Sequence, residues 1–303
     1  MFLGTFLVVV SGGLLVFGNT AAAEIHPLEP ALARPDTSGK ILWYDVRLLG
    51  VEGKGWSDTE DYYDRLPARA KGVVREPVWN LSKNSAGLCV RFLTDAAEIH
   101  AAWDGGHGLP HMAATGASGV DLYVKQNGKW TFRRVGKPDM EWTQRRLIDG
   151  LPGEPAEYMI YLPLYNRVSK VEIGIPKDAS IQSVPPPAGK PVVFYGTSIT
   201  QGGCASRPGM AYPAILGRWL DRRTINLGFS GNGRMEPEMA ELISEIDAEV
   251  YVIDCIPNVS ERIGELTEPF VKIIRKRRPE TYILLVEDVR PGDEEANEQL
   301  RAA

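Results

Sequence analysis

Residues 40–184 predict an antiparallel β-sandwich, and residues 190–303 predict a three-layer α/β domain with helices on both faces of a parallel sheet. Three observations lead there. Between 40 and 183, short β-type runs recur between turn residues with no long helical period. At 185–189, Pro185-Pro186-Pro187-Ala188-Gly189 interrupts regular structure. Beyond it, continuous apolar runs alternate with amphipathic ones, the pattern of strands buried on both faces between helices.

Taken in order, residues 1–23 carry no charge, run apolar from Phe2 to Phe17 and end in Asn19-Thr20-Ala21-Ala22-Ala23 before Glu24. This reads as a secretory signal peptide, although no Lys or Arg precedes Arg34. Gly12, Gly13, Gly18 and a length marginal for a span of about 20 residues weigh against a membrane anchor. The expectation is therefore a secreted or periplasmic protein with no membrane span after signal removal. Strands follow over 42–48, 87–94, 97–103, 120–125, 129–134, 157–162 and 170–175. Asn127-Gly128 marks a two-residue hairpin, because both central turn positions need positive φ. Residues 185–189 form a stiff linker and the domain boundary. Strands over 191–195, 224–228, 250–255 and 282–287 then alternate with helices over 212–222, 236–246 and 266–278, and 293–303 reads as a polar loop entering a helix.

With 303 residues, 44% of them hydrophobic, the chain is long enough for two ordinary cores. Its net charge of −5, with scattered Lys and Arg, supplies no stripe for phosphates, so nucleic acid is not an expected partner. Three cysteines, Cys89, Cys204 and Cys255, are too few for a disulfide framework. Cys204 and Cys255 both follow predicted strand ends and read as packing residues. No metal-ligand spacing occurs, and Gly105-Gly106-His107-Gly108 lacks the Lys-Ser/Thr of a phosphate loop, so neither metal nor cofactor is expected.

The chemistry concentrates after the predicted parallel strands. Ser198 stands at the tip of a Gly-flanked turn after 191–195, where a serine hydroxyl faces the crevice in which such sheets bind ligands. Gly231 lies in the turn after the second strand and presents a backbone N–H. Asn258 follows the third strand, and its amide can donate to the same oxygen. In acyl transfer, charge moves onto the carbonyl oxygen, so these donors with the Ser198 N–H form an oxyanion site. Ser198 also suits a helix N-cap, and Asn258 a cap of the segment after it. All four histidines (His26, His100, His107, His111) precede Ser198, so the usual base is not in the usual place.

Gly196-Thr197-Ser198-Ile199-Thr200, Gly231 and Asn258, each after a strand and in this order, resemble three sequence blocks of the SGNH hydrolases, the GDSL esterases and lipases. Thr197 stands where that family has Asp, Ile256 where it has Gly, and Val259 where it has Asp. Gly119-Val120-Asp121-Leu122-Tyr123, Arg65-Leu66-Pro67-Ala68 and His111-Met112-Ala113-Ala114-Thr115-Gly116 resemble the β-domain preceding one subgroup. The resemblance implies a flavodoxin-like second domain and an exported serine esterase, with acylated carbohydrate the substrate class it favours. It implies a C-terminal Asp-x-x-His as well, which has no match here, so the chain is expected to be a truncated copy with an incomplete, weakly stable second domain. His111, Arg234 and Glu236 are candidate substrate contacts, with a loop histidine and a solvated helix start as the plainer readings. Lipid ester or thioester hydrolysis is the enzyme alternative, and a non-catalytic glycan-binding protein the alternative from another class.

Overall fold

A computed structural model describes residues 27–290 and 292–303; the predicted signal peptide, 1–23, lies outside them. No helix among the described residues is long and apolar enough to cross a membrane. The first strands are β1 (Arg34–Pro35), β2 (Ile41–Asp45), β3 (Val51–Glu52), β4 (Cys89–Thr94), β5 (Ile99–Asp104), β6 (Val120–Gln126), β7 (Lys129–Gly136), β8 (Trp142–Ile148), β9 (Ala156–Tyr161), β10 (Val171–Pro176) and β11 (Ile181–Ser183). They form two antiparallel sheets, β1-β2-β10-β5-β8 and β11-β4-β9-β6-β7, with β3 on β4. The sheets share one core, in which Tyr44, Ala101, Trp103 and Ile173 from the first meet Val90, Phe92, Leu122 and Ile160 from the second. Asn127 and Gly128 both take positive φ, as the hairpin requires. β8 was not predicted. Only Thr143 and Leu147 are buried along it, and adjacent Arg145 and Arg146 obscure the alternation.

Strands β12 (Val192–Gly196), β13 (Thr224–Gly228), β14 (Val250–Asp254) and β15 (Tyr282–Leu285) build a parallel sheet in the order β13-β12-β14-β15. This is the first part of a flavodoxin-like 2-1-3-4-5 order. Helices α1 (Glu76–Ser82), α2 (Ala114–Ala117), α3 (Ser198–Gln201), α4 (Tyr212–Leu220), α5 (Pro237–Glu245), α6 (Ile256–Val259), α7 (Ile263–Arg277) and α8 (Glu294–Ala302) complete the chain. Period-two alternation sends Val193, Tyr195, Ile225, Leu227, Tyr251 and Ile253 into a core shared with α5 and α7. On the opposite face Phe194 meets Tyr212 of α4 edge-on, with ring centroids 5.6 Å apart. At the edge of this sheet, Tyr282 and Leu284 of β15 are exposed.

Among the contacts that join the halves, two are centred on buried charged residues whose partners were not visible in the sequence pattern. Leu66, Ala70, Val74, Val78 and Trp79, all far upstream of the Pro-rich segment, belong to the same core as the parallel sheet. Among them lies Arg65, whose side chain is wholly enclosed. Its guanidinium donates to Leu81 O (2.7 Å), Asn84 O (2.8 Å), Asn226 O (3.0 Å) and Gly228 O (2.8 Å), and it packs over the Phe229 ring. Burial pushes its pKa down to about 9, so it stays protonated at neutral pH. The second contact is the Gly-x-Asp-Leu-Tyr segment. Asp121 is buried and its two carboxylate oxygens each lie 3.1 Å from the Gly209 N–H, with Arg207 Nε at 3.3 Å. Arg218 of α4 stacks on Tyr123, 4.2 Å from the ring centroid. Met159, Tyr161 and Tyr123 then close on Ala214, so that α4 is held between the parallel sheet and the sandwich.

Replacing Arg65 by leucine strands the carbonyls of Asn84, Asn226 and Gly228, Leu81 O keeping the Asn84 N–H at 3.1 Å; urea unfolding is expected to show a loss of about 3 kcal/mol or more, not rescued by lysine, which lacks the planar fork. Burial, opposed by the Gly209 N–H and Arg207, pushes the Asp121 pKa up to about 7. Between the ordinary carboxylate pKa and about 7 the folded state therefore holds more protons than the unfolded one, and this contribution to stability declines as pH rises. The unfolding free energy of the wild type relative to Asp121→Asn is expected to fall between pH 4 and pH 7; a difference independent of pH would exclude this.

Candidate active site

Register brings the three sequence blocks to one level. Gly196 at the end of β12 pairs with Gly228 of β13 on one side and Asp254 of β14 on the other, so Ser198, Gly231 and Asn258 all start from the same carboxyl edge of adjacent strands. Ser198 is half-buried at the first position of α3. The helix is capped not by Ser198 but by Thr197, whose hydroxyl accepts the Ile199 N–H at 3.2 Å. Thr197 is fully enclosed, so the cap it supplies adds no buried charge. The Ser198 hydroxyl is thus not consumed by capping. Among the described residues it hydrogen-bonds to no histidine.

The second block is a turn in which Phe229 N–H donates to Gly196 O (2.9 Å) and Ser230 N–H to Gln201 Oε1 (2.9 Å). Gly233 must be glycine, because a Cβ would lie 2.1 Å from Gly196 O. At Gly231 the reason differs: its φ is +69°, while the space around a Cβ is open. Asn258 sits in α6, and its carboxamide is oriented by its neighbours. Assigned with its oxygen toward the two neighbouring donors, the carboxamide accepts at Oδ1 from the Asn232 N–H (3.0 Å) and the Gly233 N–H (3.1 Å), which leaves Nδ2 outside those bonds. The N–H groups of Ser198 and Gly231 make no backbone hydrogen bond among the described residues.

A polar shell that sequence reasoning missed supports these loops. Gln201 is buried, and its Nε2 donates to Asn84 Oδ1 and Leu164 O, both 3.2 Å, from the N-terminal half. Asn226 Nδ2 donates to Thr200 O at 2.8 Å. Asp254 accepts from Thr200 Oγ1 (2.9 Å) and the Tyr212 hydroxyl (3.0 Å); burial raises its pKa. That carboxylate ties α3 and α4 to β14. Glu236, expected as a substrate contact, is instead occupied: Oε1 accepts from Arg75 Nε (2.6 Å) and Oε2 from the Tyr195 hydroxyl (2.8 Å). Arg75 also reaches Asn232, so Glu236 positions the second-block loop. Arg234 is exposed and its Nε donates to Gly231 O at 2.9 Å, beside the candidate oxyanion donor.

His111 is exposed, and its carbonyl lies 3.5 Å from Cys204 Sγ, in the loop just after α3. Thr115 of the same upstream segment donates to Ser206 O at 2.8 Å. The segment therefore borders the Ser198 loop. His100 lies on β5 beside Trp43, in the sandwich. Cys255 is buried, as a packing residue should be, but Cys204 is exposed, in a left-handed turn that carries it out of the core. Neither of two cavities, of 490 and 530 Å³, includes Ser198 in its lining.

A serine at the carboxyl edge of a parallel sheet, with N–H groups and an amide rising from the same level of neighbouring strands, is the kind of arrangement a hydrolase uses. Comparison with known proteins agrees. Residues 41–181 match the model for the N-terminus of SGNH-hydrolase-type esterases, marked GxDLY, and residues 189–303 match the GDSL-like lipase/acylhydrolase family. A GDSL-like protein from Bacteroides ovatus ATCC 8483, solved at 1.40 Å, is 37% identical with TM-score 0.82, covering 86% of this chain and 82% of that one. The chain belongs to the GDSL-like lipase/acylhydrolase family. The salicylyl-acyltransferase SsfX3 of a tetracycline biosynthetic pathway shares the fold at 18% identity and TM-score 0.66, over 84% of this chain and 77% of that one. So does a family two carbohydrate esterase from Clostridium thermocellum, at 15% and 0.52, over 72% and 77%. No curated protein matches the chain.

Thr197→Ala removes the α3 cap and is expected to lower stability by about 1 kcal/mol in thermal or urea unfolding, whereas Thr197→Ser restores it. Equal stability of the two variants would show that the cap contributes nothing.

Proposed function

We propose that this protein is an exported serine ester hydrolase that removes acyl groups, acetyl above all, from a polysaccharide. One observation carries the reading: the pairing of Gly196 with both Gly228 and Asp254 starts Ser198, Gly231 and Asn258 from one level of the sheet. Ser198 Oγ attacks the ester carbonyl, and its proton passes to the departing sugar oxygen. The oxygen that becomes negative is met by the N–H groups of Ser198 and Gly231 and by Asn258 Nδ2. The sugar hydroxyl departs with a proton, leaving an acyl-serine that water hydrolyses to the acid and free serine. Arg234 and His111, at the edges of the same loops, are the substrate contacts of this reading. The fold shared with a carbohydrate esterase and the apolar, uncharged start of the chain support the choice of substrate and export.

A second reading, a glycan-binding protein that does not turn over its ligand, is favoured by the lack of a histidine on the Ser198 hydroxyl among the described residues. Without a base the serine stays protonated.

Hydrolysis of p-nitrophenyl acetate by residues 24–303 separates the two. The hydrolase reading expects activity abolished by Ser198→Ala and lowered about 10²–10³-fold by Asn258→Ala, the usual effect of losing one oxyanion donor. Absence of serine-dependent hydrolysis would overturn it for this chain and leave the binding reading.

A further inference from the structure

The flank of the molecule carries a groove of 530 Å³, lined by Tyr123, Lys129, Trp130, Phe132, Arg207, Arg218, Trp219 and Asp221 among others. We propose that this groove binds an acidic glycan, a chain of sugar rings bearing carboxylates, at a subsite apart from Ser198. Trp219 near the end of α4 is 78% exposed, and Phe132 on the facing strand β7 is also exposed. A large, flat, exposed apolar surface marks a binding face, and an indole offers such a surface to the C–H face of a sugar ring.

Charge selects the class of sugar. Lys129, Arg207 and Arg218 line the groove with Asp221, which is itself paired with Lys125 at 3.1 Å, and behind the lining Arg207 Nε lies 3.3 Å from the buried Asp121. The groove is thus positive on a chain whose net charge is −5. Its donors are also in excess: Arg218 Nη1 and the Tyr123 hydroxyl are buried without a hydrogen-bond partner, although Arg218 Nη2 donates to Gly209 O at 2.7 Å. A sugar carboxylate is the acceptor that a guanidinium fork and an ammonium both favour. Position links the groove to the site. Arg207 lies in the connection between α3, which opens with Ser198, and α4, while Arg218 and Trp219 stand near the far end of that helix.

This inference rests on the carbohydrate reading above, and its test uses binding, so that the two can fail separately. Residues 24–303 carrying Ser198→Ala would be run by affinity electrophoresis through gels containing polygalacturonate or the neutral polymer hydroxyethyl cellulose. The expectation is retardation by polygalacturonate only, weakened at least tenfold by adding Trp219→Ala or Lys129→Glu. In the otherwise native protein, Trp219→Ala should leave the p-nitrophenyl acetate rate unchanged, since that small ester does not reach the groove. Equal retardation by the neutral polymer would overturn the acidic class. Retardation indifferent to Trp219→Ala, or none, would overturn the site, whatever the esterase assay gives. Concentration-dependent dimers abolished by Trp219→Ala would also overturn it, since the face would then join two copies.

Discussion

Arg65 is a cation enclosed in the interior that forms no ion pair among the described residues, and the surrounding backbone is arranged to answer it. Four carbonyls, two from the N-terminal segment and two from the end of β13, accept its hydrogens. A buried charge of this kind is tolerable only while every partner is in place. The carbonyls of Asn226 and Gly228 belong to the strand that leads directly into the Gly231 turn, so the geometry of that turn depends on a residue more than 160 positions upstream. Leu66, Ala70, Val74 and Val78 add apolar burial against the same sheet, which makes the N-terminal segment part of the hydrolase core.

The Gly-x-Asp-Leu-Tyr segment does a corresponding job on the opposite face. Asp121 has no route to solvent and accepts from Gly209, in the connection between α3 and α4. Tyr123 receives the Arg218 guanidinium on its ring. The two residues thereby fix the helix that covers the Phe194 side of the sheet and the loop that follows Ser198. The motif works by holding the second half against the first, from a distance at which neither side chain touches the serine.

Between these two attachments the site is tuned by neutral or internally balanced groups. Thr197 caps α3 without bringing a buried charge. Glu236 is balanced by Arg75 and receives the Tyr195 hydroxyl, and the same arginine reaches Asn232 in the turn whose N–H groups orient Asn258. The candidate oxyanion donors are thus set by a chain of hydrogen bonds that starts in the N-terminal half and ends on one carboxamide. Such a network keeps donors aligned before substrate arrives, which is where the electrostatic benefit of an oxyanion site lies.

Local chemistry determined much of this in the sequence alone. Apolar strands between amphipathic helices specified the parallel sheet, Asn127-Gly128 specified the β6–β7 hairpin of the sandwich, and Ser198, Gly231 and Asn258 stood out as candidates because each follows a strand end, where a parallel sheet presents its loops. Other features depend on partners distant in the chain. The two arginines in β8 hid its pattern, since only pairing with β5 makes its alternation meaningful. Glu236 looked like a surface carboxylate until Arg75 and Tyr195 closed on it. The roles of Arg65, Gln201 and Asp121 were decided by tertiary structure alone, because what a buried polar group does is set by the groups that satisfy it, and those come from residues tens to more than a hundred positions away.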